Sequence, residues 1–260
     1  MWKREVNKED LDNLWGAYDI LKFLWKSDNA PIYIMDNHLA AAWCWMHECN
    51  TDDNYYFMHI DQHSDLATYD DPKNLSLINN NISLEKYLSL SFDNSGQIEP
   101  KLKWDNYIHL SNKLYPNWFN NSFFATHKEL DIDRYKKNIG INICKSIAPY
   151  TLLNDLNNLF RENRQRKWIV NVDLDYFFCY NSVNKIIQFH SDEYIKEIGC
   201  IIGNHMSNIQ VITIALSPSC CGGWGNAFEC SKLFLLNPIL IESCIEYLEE
   251  KKIFPYGWHR

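Results

Sequence analysis

Apolar residues in this chain fall into short unbroken runs, each closed by a polar or acidic position. Residues 31–36 (PIYIMD), 55–60 (YYFMHI), 167–172 (KWIVNV) and 209–216 (IQVITIAL) are the clearest. Runs of about four to eight residues without alternation read as strands buried on both faces. Between them the apolar positions recur at helical spacing. Helices are predicted near 38–49, 83–91, 105–114, 151–162, 192–206 and 238–251, with one more strand at 140–146 and an Asn-rich loop at 74–81. Strands alternating with helices predict an α/β fold with a mainly parallel sheet covered on both faces. No Gly/Ser/Pro-rich linker and no internal repeat divides the 260 residues, so a single domain over 1–260 is expected.

Composition narrows the class. A hydrophobic fraction of 46% supports a sizeable core, and a formal charge of −8 without a basic face argues against nucleic acid. The one basic stretch, 161–167 (RENRQRK), reads as a solvated helix end. Met1 is followed by Trp, Lys, Arg and Glu rather than an apolar leader, and no run nears the roughly 18 apolar residues of a membrane span. A cytoplasmic protein that contacts neither nucleic acid nor membrane is expected. The nine cysteines are irregularly spaced and form no CxxC pair, which points to buried thiols.

Ligands of parallel sheets bind beyond the carboxyl ends of the strands, and the polar residues gather there. Three strand ends carry metal-type donors: Asp36-Asn37-His38, then His59-Ile60-Asp61-Gln62-His63-Ser64-Asp65, then Asp173-Leu174-Asp175. Alternate residues of an extended segment point to one side. Asp61, His63 and Asp65 can therefore face one site, as can Asp173 and Asp175. Four carboxylates beside an apolar sheet would repel one another without cations. Carboxylate with imidazole suits a divalent ion of intermediate hardness such as manganese.

In this order the three segments resemble the arginase–deacetylase superfamily, the ureohydrolases. Its members carry a His after an early strand, then D-x-H-x-D, then a later D-x-D. The resemblance implies a three-layer α/β/α sandwich holding two Mn2+ ions per chain. It assigns the ligands to His38, Asp61, His63, Asp65, Asp173 and Asp175. Asp61 and Asp173 would bridge the ions, His38 and Asp65 complete one, and His63 and Asp175 the other. The phrases MDNHLAAAW, HIDQHSDL, NVDLDYF and ALSPSCCGGW look like the peptide arginase family, closest to its cyanobacterial members. Those enzymes convert arginine in ribosomally made precursor peptides to ornithine, releasing urea. The implied partner is an arginine-containing precursor peptide.

The same likeness implies catalytic roles. Asp175 would relay a proton to the departing amine, with His109 or His127 as a histidine shuttle. Arginases bind the guanidinium through an acid shortly after the last strand, where this chain has Ser217-Pro218-Ser219. Ser219 and Glu229 are the substrate-binding candidates in its place. Two other readings stand beside this one: a single-zinc deacetylase-like amidohydrolase of the same fold, and a metal-stabilised module that binds a peptide without turnover. Free arginine and agmatine also remain open as substrates.

Overall fold

The protein is described here by a computed structural model covering residues 21–68, 75–94, 97–100 and 102–234. The predicted helix at 238–251 and the first residue of the Asn-rich loop lie outside the described residues. In chain order the elements begin with strands β1 (Leu24–Lys26) and β2 (Ile32–Met35). A 3-10 turn (His38–Ala40) then runs into helix α1 (Ala41–Glu48), followed by β3 (Tyr56–Ile60) and α2 (Leu84–Leu88). A hairpin of β4 (Ser91–Asn94) and β5 (Gln97–Pro100) precedes α3 (Tyr107–Leu114), β6 (Asn121–Ala125), α4 (Ile132–Ile139), β7 (Ile143–Ile147) and α5 (Leu152–Glu162). The rest is β8 (Trp168–Asp173), a hairpin of β9 (Phe178–Tyr180) and β10 (Ile186–Gln188), α6 (Asp192–Asn204), β11 (Ile209–Ala215) and α7 (Trp224–Leu233).

Seven strands form one sheet in the order β1-β2-β11-β8-β3-β6-β7. Only β1 runs antiparallel to its neighbour, and the other pairings are parallel. The four apolar runs of the sequence are its middle: all of β8 is buried, as are six of the seven residues of β11. On one face Met58, Val170 and Ile212 meet Leu156 and Phe160 of α5, Ile198 of α6 and Phe228 of α7. On the other, Phe57, Ile169 and Val211 meet Trp45 of α1 and Tyr107 and Leu110 of α3. Each such side chain contributes roughly 1.5–3 kcal/mol on burial. The expected layering, with helices on both faces of a mainly parallel sheet, is what the chain builds.

Local signals explain the ends of several elements. Ser191 caps α6 by accepting the Tyr194 N–H, with Asp192 and Glu193 in the first turn, where the helix dipole favours acids. Arg161, first residue of the basic stretch, lies in the last turn of α5, where a cation is favoured. Among the described residues no helix is long and apolar enough to cross a membrane.

Candidate metal centre

The carboxyl ends of β2, β3, β8 and β11 converge on one cavity of about 290 Å³. Its walls include Asp36 and His38 after β2, His63 and Asp65 after β3, Asp173 and Asp175 at the end of β8, and Ser217 and Ser219 after β11. Asn37 starts the turn that carries His38: its side chain accepts the Leu39 N–H at 2.9 Å. Asp65 and Ser217 both adopt a left-handed backbone, at φ 50° and 40°. Non-glycine residues held there cost of order 1 kcal/mol each, a strain that tends to collect at functional sites.

Two sets of donors are close enough to hold an ion each: His38 with Asp61 and Asp65, and Asp61 with His63 and Asp175. Asp61 belongs to both. In the first set His38 Nδ1 lies 3.6 Å from Asp61 Oδ2 and 3.3 Å from Asp65 Oδ2. In the second, His63 Nδ1 lies 3.4 Å from Asp61 Oδ1 and 3.2 Å from Asp175 Oδ2. Asp173 belongs to neither set. Its Oδ2 is 3.7 Å from His38 Nδ1, but it also accepts the Ser217 hydroxyl at 2.6 Å, and the Asp175 N–H donates to its Oδ1 at 2.9 Å.

The electrostatics suit cations. Burial, then the neighbouring Asp65, Asp175 and Asp173, pushes the Asp61 carboxyl well above the usual range. Burial and Asp175 push Asp173 up to about 8, against His38 and Ser217. The hydrogen bond to Asp175 raises His63 to about 9 against the effect of burial. Burial opposes a charge on His38 too, but Asp65, Asp173 and Asp175 outweigh it and raise its pKa. Burial also acts to raise Asp65, which His38, His59 and Tyr107 nevertheless hold below the ordinary carboxylate value. Without metal, protons on Asp and His must supply the missing positive charge.

Among the carboxylate oxygens of these donors, one is left over. Asp61 Oδ2 is buried and has no hydrogen-bond partner. An unpaired buried carboxylate oxygen costs several kcal/mol unless a cation meets it. The donor set therefore fits divalent ions bound by oxygen and imidazole. Cys220 also lines the cavity; burial followed by Asp175 and Asp173 pushes its thiol up to about 12.

The remaining candidates divide. Ser219 lines the cavity. Glu229 does not: it is exposed on α7 and pairs with Lys232 at 2.8 Å, one helical turn away. Its position in the sequence suggested reach, but its helical phase turns it to solvent. His109 is buried in α3 and lines neither this cavity nor the wider cleft beside it. His127 does line that wider cleft, which measures about 820 Å³ and shares Gln62, His63, Asp65 and Trp104 with the cavity. The His127 ring lies with Nε2 2.7 Å from the Tyr176 carbonyl.

Sequence reasoning placed Asp36 in the first donor segment but gave it no role of its own. It is buried at the cavity wall, where its Oδ1 accepts the backbone N–H groups of Lys22 and Phe23 at 2.9 and 2.8 Å. Burial pushes it up to about 7 despite these bonds. Its backbone carbonyl accepts the Ser217 N–H at 2.9 Å, so this carboxylate stands on the strand next to the segment expected to carry one. A charged residue closing an otherwise apolar strand was the available signal.

Neither a protein-family model nor a curated protein matches the chain. Among solved structures it is similar to proclavaminate amidino hydrolase from Streptomyces clavuligerus, at 12% identity and a TM-score of 0.44 over 78% of this chain and 62% of that one. It is also similar to arginase from Bacillus subtilis, at 15% identity and a TM-score of 0.41, and to arginase from Bacillus cereus, at 12% and 0.42. Each of these two alignments covers 79% of this chain and 71% of the other. The chain spans less than two thirds of the length of the amidino hydrolase.

Proposed function

We propose that this chain is a two-metal hydrolase of the ureohydrolase type, which cleaves the guanidinium group of arginine within a peptide to give ornithine and urea. The observation that carries the reading is Asp61, one buried carboxylate common to two ligand sets and with an oxygen left unpartnered. A single-ion site would need only one of the sets. His38, Asp61 and Asp65 would hold one ion and Asp61, His63 and Asp175 the other, with Asp173 beside the first. Manganese is the ion favoured by this mixture of carboxylate and imidazole. A bound pair of such ions supplies an acidified water as nucleophile at neutral pH.

The chain's own residues would do the rest. Asp36, with one oxygen anchored by two backbone amides, offers a negative partner for the guanidinium cation, the role for which no acid follows β11. Ser219 offers a hydroxyl on the same wall. Asp175 Oδ2, beside His63 Nδ1, is the atom from which a proton can reach the departing amine. Holding the planar cation between these groups turns a bimolecular encounter into an oriented one.

The peptide preference draws on the four resembling phrases and on the room beside the metal centre. The 820 Å³ cleft shares His63 and Trp104 with the cavity, so groups flanking the target side chain have a place to lie. Contacts to those groups can be used for positioning at the reacting carbon.

The test is incubation of manganese-loaded protein with free arginine, a blocked arginine peptide and a longer arginine-containing peptide. Mass spectrometry should find the peptides lighter by one cyanamide unit at arginine, with urea released and a higher kcat/KM for peptide than for free arginine. Equal or better turnover of the free amino acid would refute the peptide assignment. No urea from any substrate would refute the hydrolase.

A further inference from the structure

Beneath the metal centre lies a row of polar residues that the sheet has no packing reason to contain. The register sets His59 of β3 opposite Asn171 of β8, and Asn171 opposite Thr213 of β11. All three are fully buried, on the face covered by α1 and α3. His59 and Asn171 each lie two residues before an aspartate of the site, Asp61 and Asp173. Alternation along a strand turns such pairs to one side.

The hydrogen bonds through this row have only one possible direction. An indole N–H can only donate, so Trp45 donates to Thr213 Oγ1 at 3.1 Å. Thr213 donates its own proton to Asn171 Oδ1 at 2.6 Å. Both amide hydrogens of Asn171 are then free to go to Tyr107 Oη and His59 Nδ1, each at 2.9 Å. Tyr107, having accepted that amide hydrogen, turns its own hydroxyl proton to the inner donors, Asp65 Oδ2 at 2.9 Å and His38 Nδ1 at 3.0 Å. An ionised carboxylate can only accept, so the two ends of the chain demand the same direction.

Two consequences follow for the imidazoles. His59 accepts at Nδ1, so its proton sits on Nε2, which faces the His63 carbonyl at 3.2 Å and Asp61 Oδ2 at 3.6 Å. His38 turns Nε2 to the Val172 carbonyl at 3.3 Å, which places its proton there. Nδ1 of His38 then faces Tyr107 Oη at 3.0 Å and the oxygens of Asp65 and Asp61 at 3.3 and 3.6 Å, a cluster that a cation completes. A hydrogen-bonded second nitrogen is how metal-binding histidines have their tautomer set.

Building on the two-ion reading, we propose that Tyr107 is a positioning residue for the inner ion. Through the chain Trp45–Thr213–Asn171 it holds the Asp65 carboxylate and the His38 ring in place for the ion. In the outer set the carboxylates are held by backbone N–H groups instead, His63 to Asp61 Oδ1 at 2.6 Å and Gln62 to Asp175 Oδ1 at 3.2 Å, while the His63 ring projects towards the cleft.

The test is manganese titration of the metal-stripped protein by calorimetry, comparing wild type, Tyr107→Phe and Thr213→Val. Tyr107→Phe deletes one hydroxyl and keeps the ring in its packing. It should weaken one of two binding events by about 10- to 100-fold, the usual size for loss of such a partner, and leave the other unchanged. Thr213→Val, two bonds further away, should weaken the same event by less, and it serves as the second probe if Tyr107→Phe does not fold. A purely structural role predicts lower melting temperatures with both manganese affinities intact, and that result overturns the proposal. Equal weakening of both events overturns it too. A wild-type protein that binds no divalent ion overturns the two-ion reading itself, and this inference with it.

Discussion

His38 and His63 each point a ring nitrogen at Asp61, at 3.6 and 3.4 Å, from opposite sides of one carboxylate. The His38 side chain is 1% exposed and the His63 side chain 44%. Behind His38 stand Tyr107, Asn171 and the rings of Trp45 and Phe119, while His63 faces both the cavity and the wider cleft. The inner half is assembled by folding: its donors are aimed by partners that have nowhere else to go. The outer half is a rim open to solvent. Preorganisation and access thus fall to different halves of one site, joined by Asp61.

The largest effect should come from the shared residue. Asp61→Ala should remove both ions and lower hydrolysis by well over the roughly 100-fold seen for loss of a supporting partner. Metal analysis and urea release read it directly. A folded variant that retains both ions and full activity would remove the link between the halves.

Next, the two histidines should differ. His38→Ala leaves Asp61 and Asp65 buried without their imidazole, so it should cost both the inner ion and a few kcal/mol of stability. His63→Ala should weaken the outer ion and leave the melting temperature of the metal-free protein nearly unchanged. Equal thermal penalties for the two variants would break the comparison.

A smaller effect concerns pH in the metal-free protein. Asp173, pushed up to about 8, holds its proton more tightly folded than unfolded. Its contribution is complete below the unfolded carboxylate value, near ~3.9, and is lost as pH rises through about 8. His63 behaves likewise between its ordinary 6.5 and about 9. His59, lowered to about 4, acts in the opposite sense only below about 6.5. The melting temperature in chelator should therefore fall between about pH 6.5 and 9, and manganese should raise it most at the alkaline end. A flat or rising profile in chelator would contradict this picture of the charges. Least of all should Glu229→Gln matter: an exposed carboxylate paired with Lys232 should shift stability by less than about 0.5 kcal/mol and leave kcat/KM unchanged.

These contrasts also explain what could be read from the sequence. β2, β3, β8 and β11 are unbroken apolar runs because both of their faces are buried, and each ends on the polar residues it presents. β6 was missed. Only Phe123, Phe124 and Ala125 are apolar after Asn121 and Ser122, and its place in the sheet comes from pairing with β3 and β7 rather than from its own pattern. α4 was missed because Ile139 is its only buried residue. β1 is three residues at the antiparallel edge, below the length at which periodicity carries meaning.

The candidate ligand segments were legible because D-x-H-x-D is local. Tyr107 and the polar row were not, because their partners come from other elements. One signal was nevertheless present: Asn171 and Thr213 are uncharged polar residues fully buried inside largely apolar strands, and such residues need partners. Glu229 and His109 show the opposite limit, since proximity in sequence says nothing about the side to which a helix turns them.

The most direct test of the shared carboxylate is anomalous diffraction from crystals of the manganese-loaded protein. The account predicts two peaks, one within coordination distance of His38, Asp61 and Asp65 and the other of Asp61, His63 and Asp175. One peak only, or two peaks of which either lies beyond reach of Asp61, would contradict it.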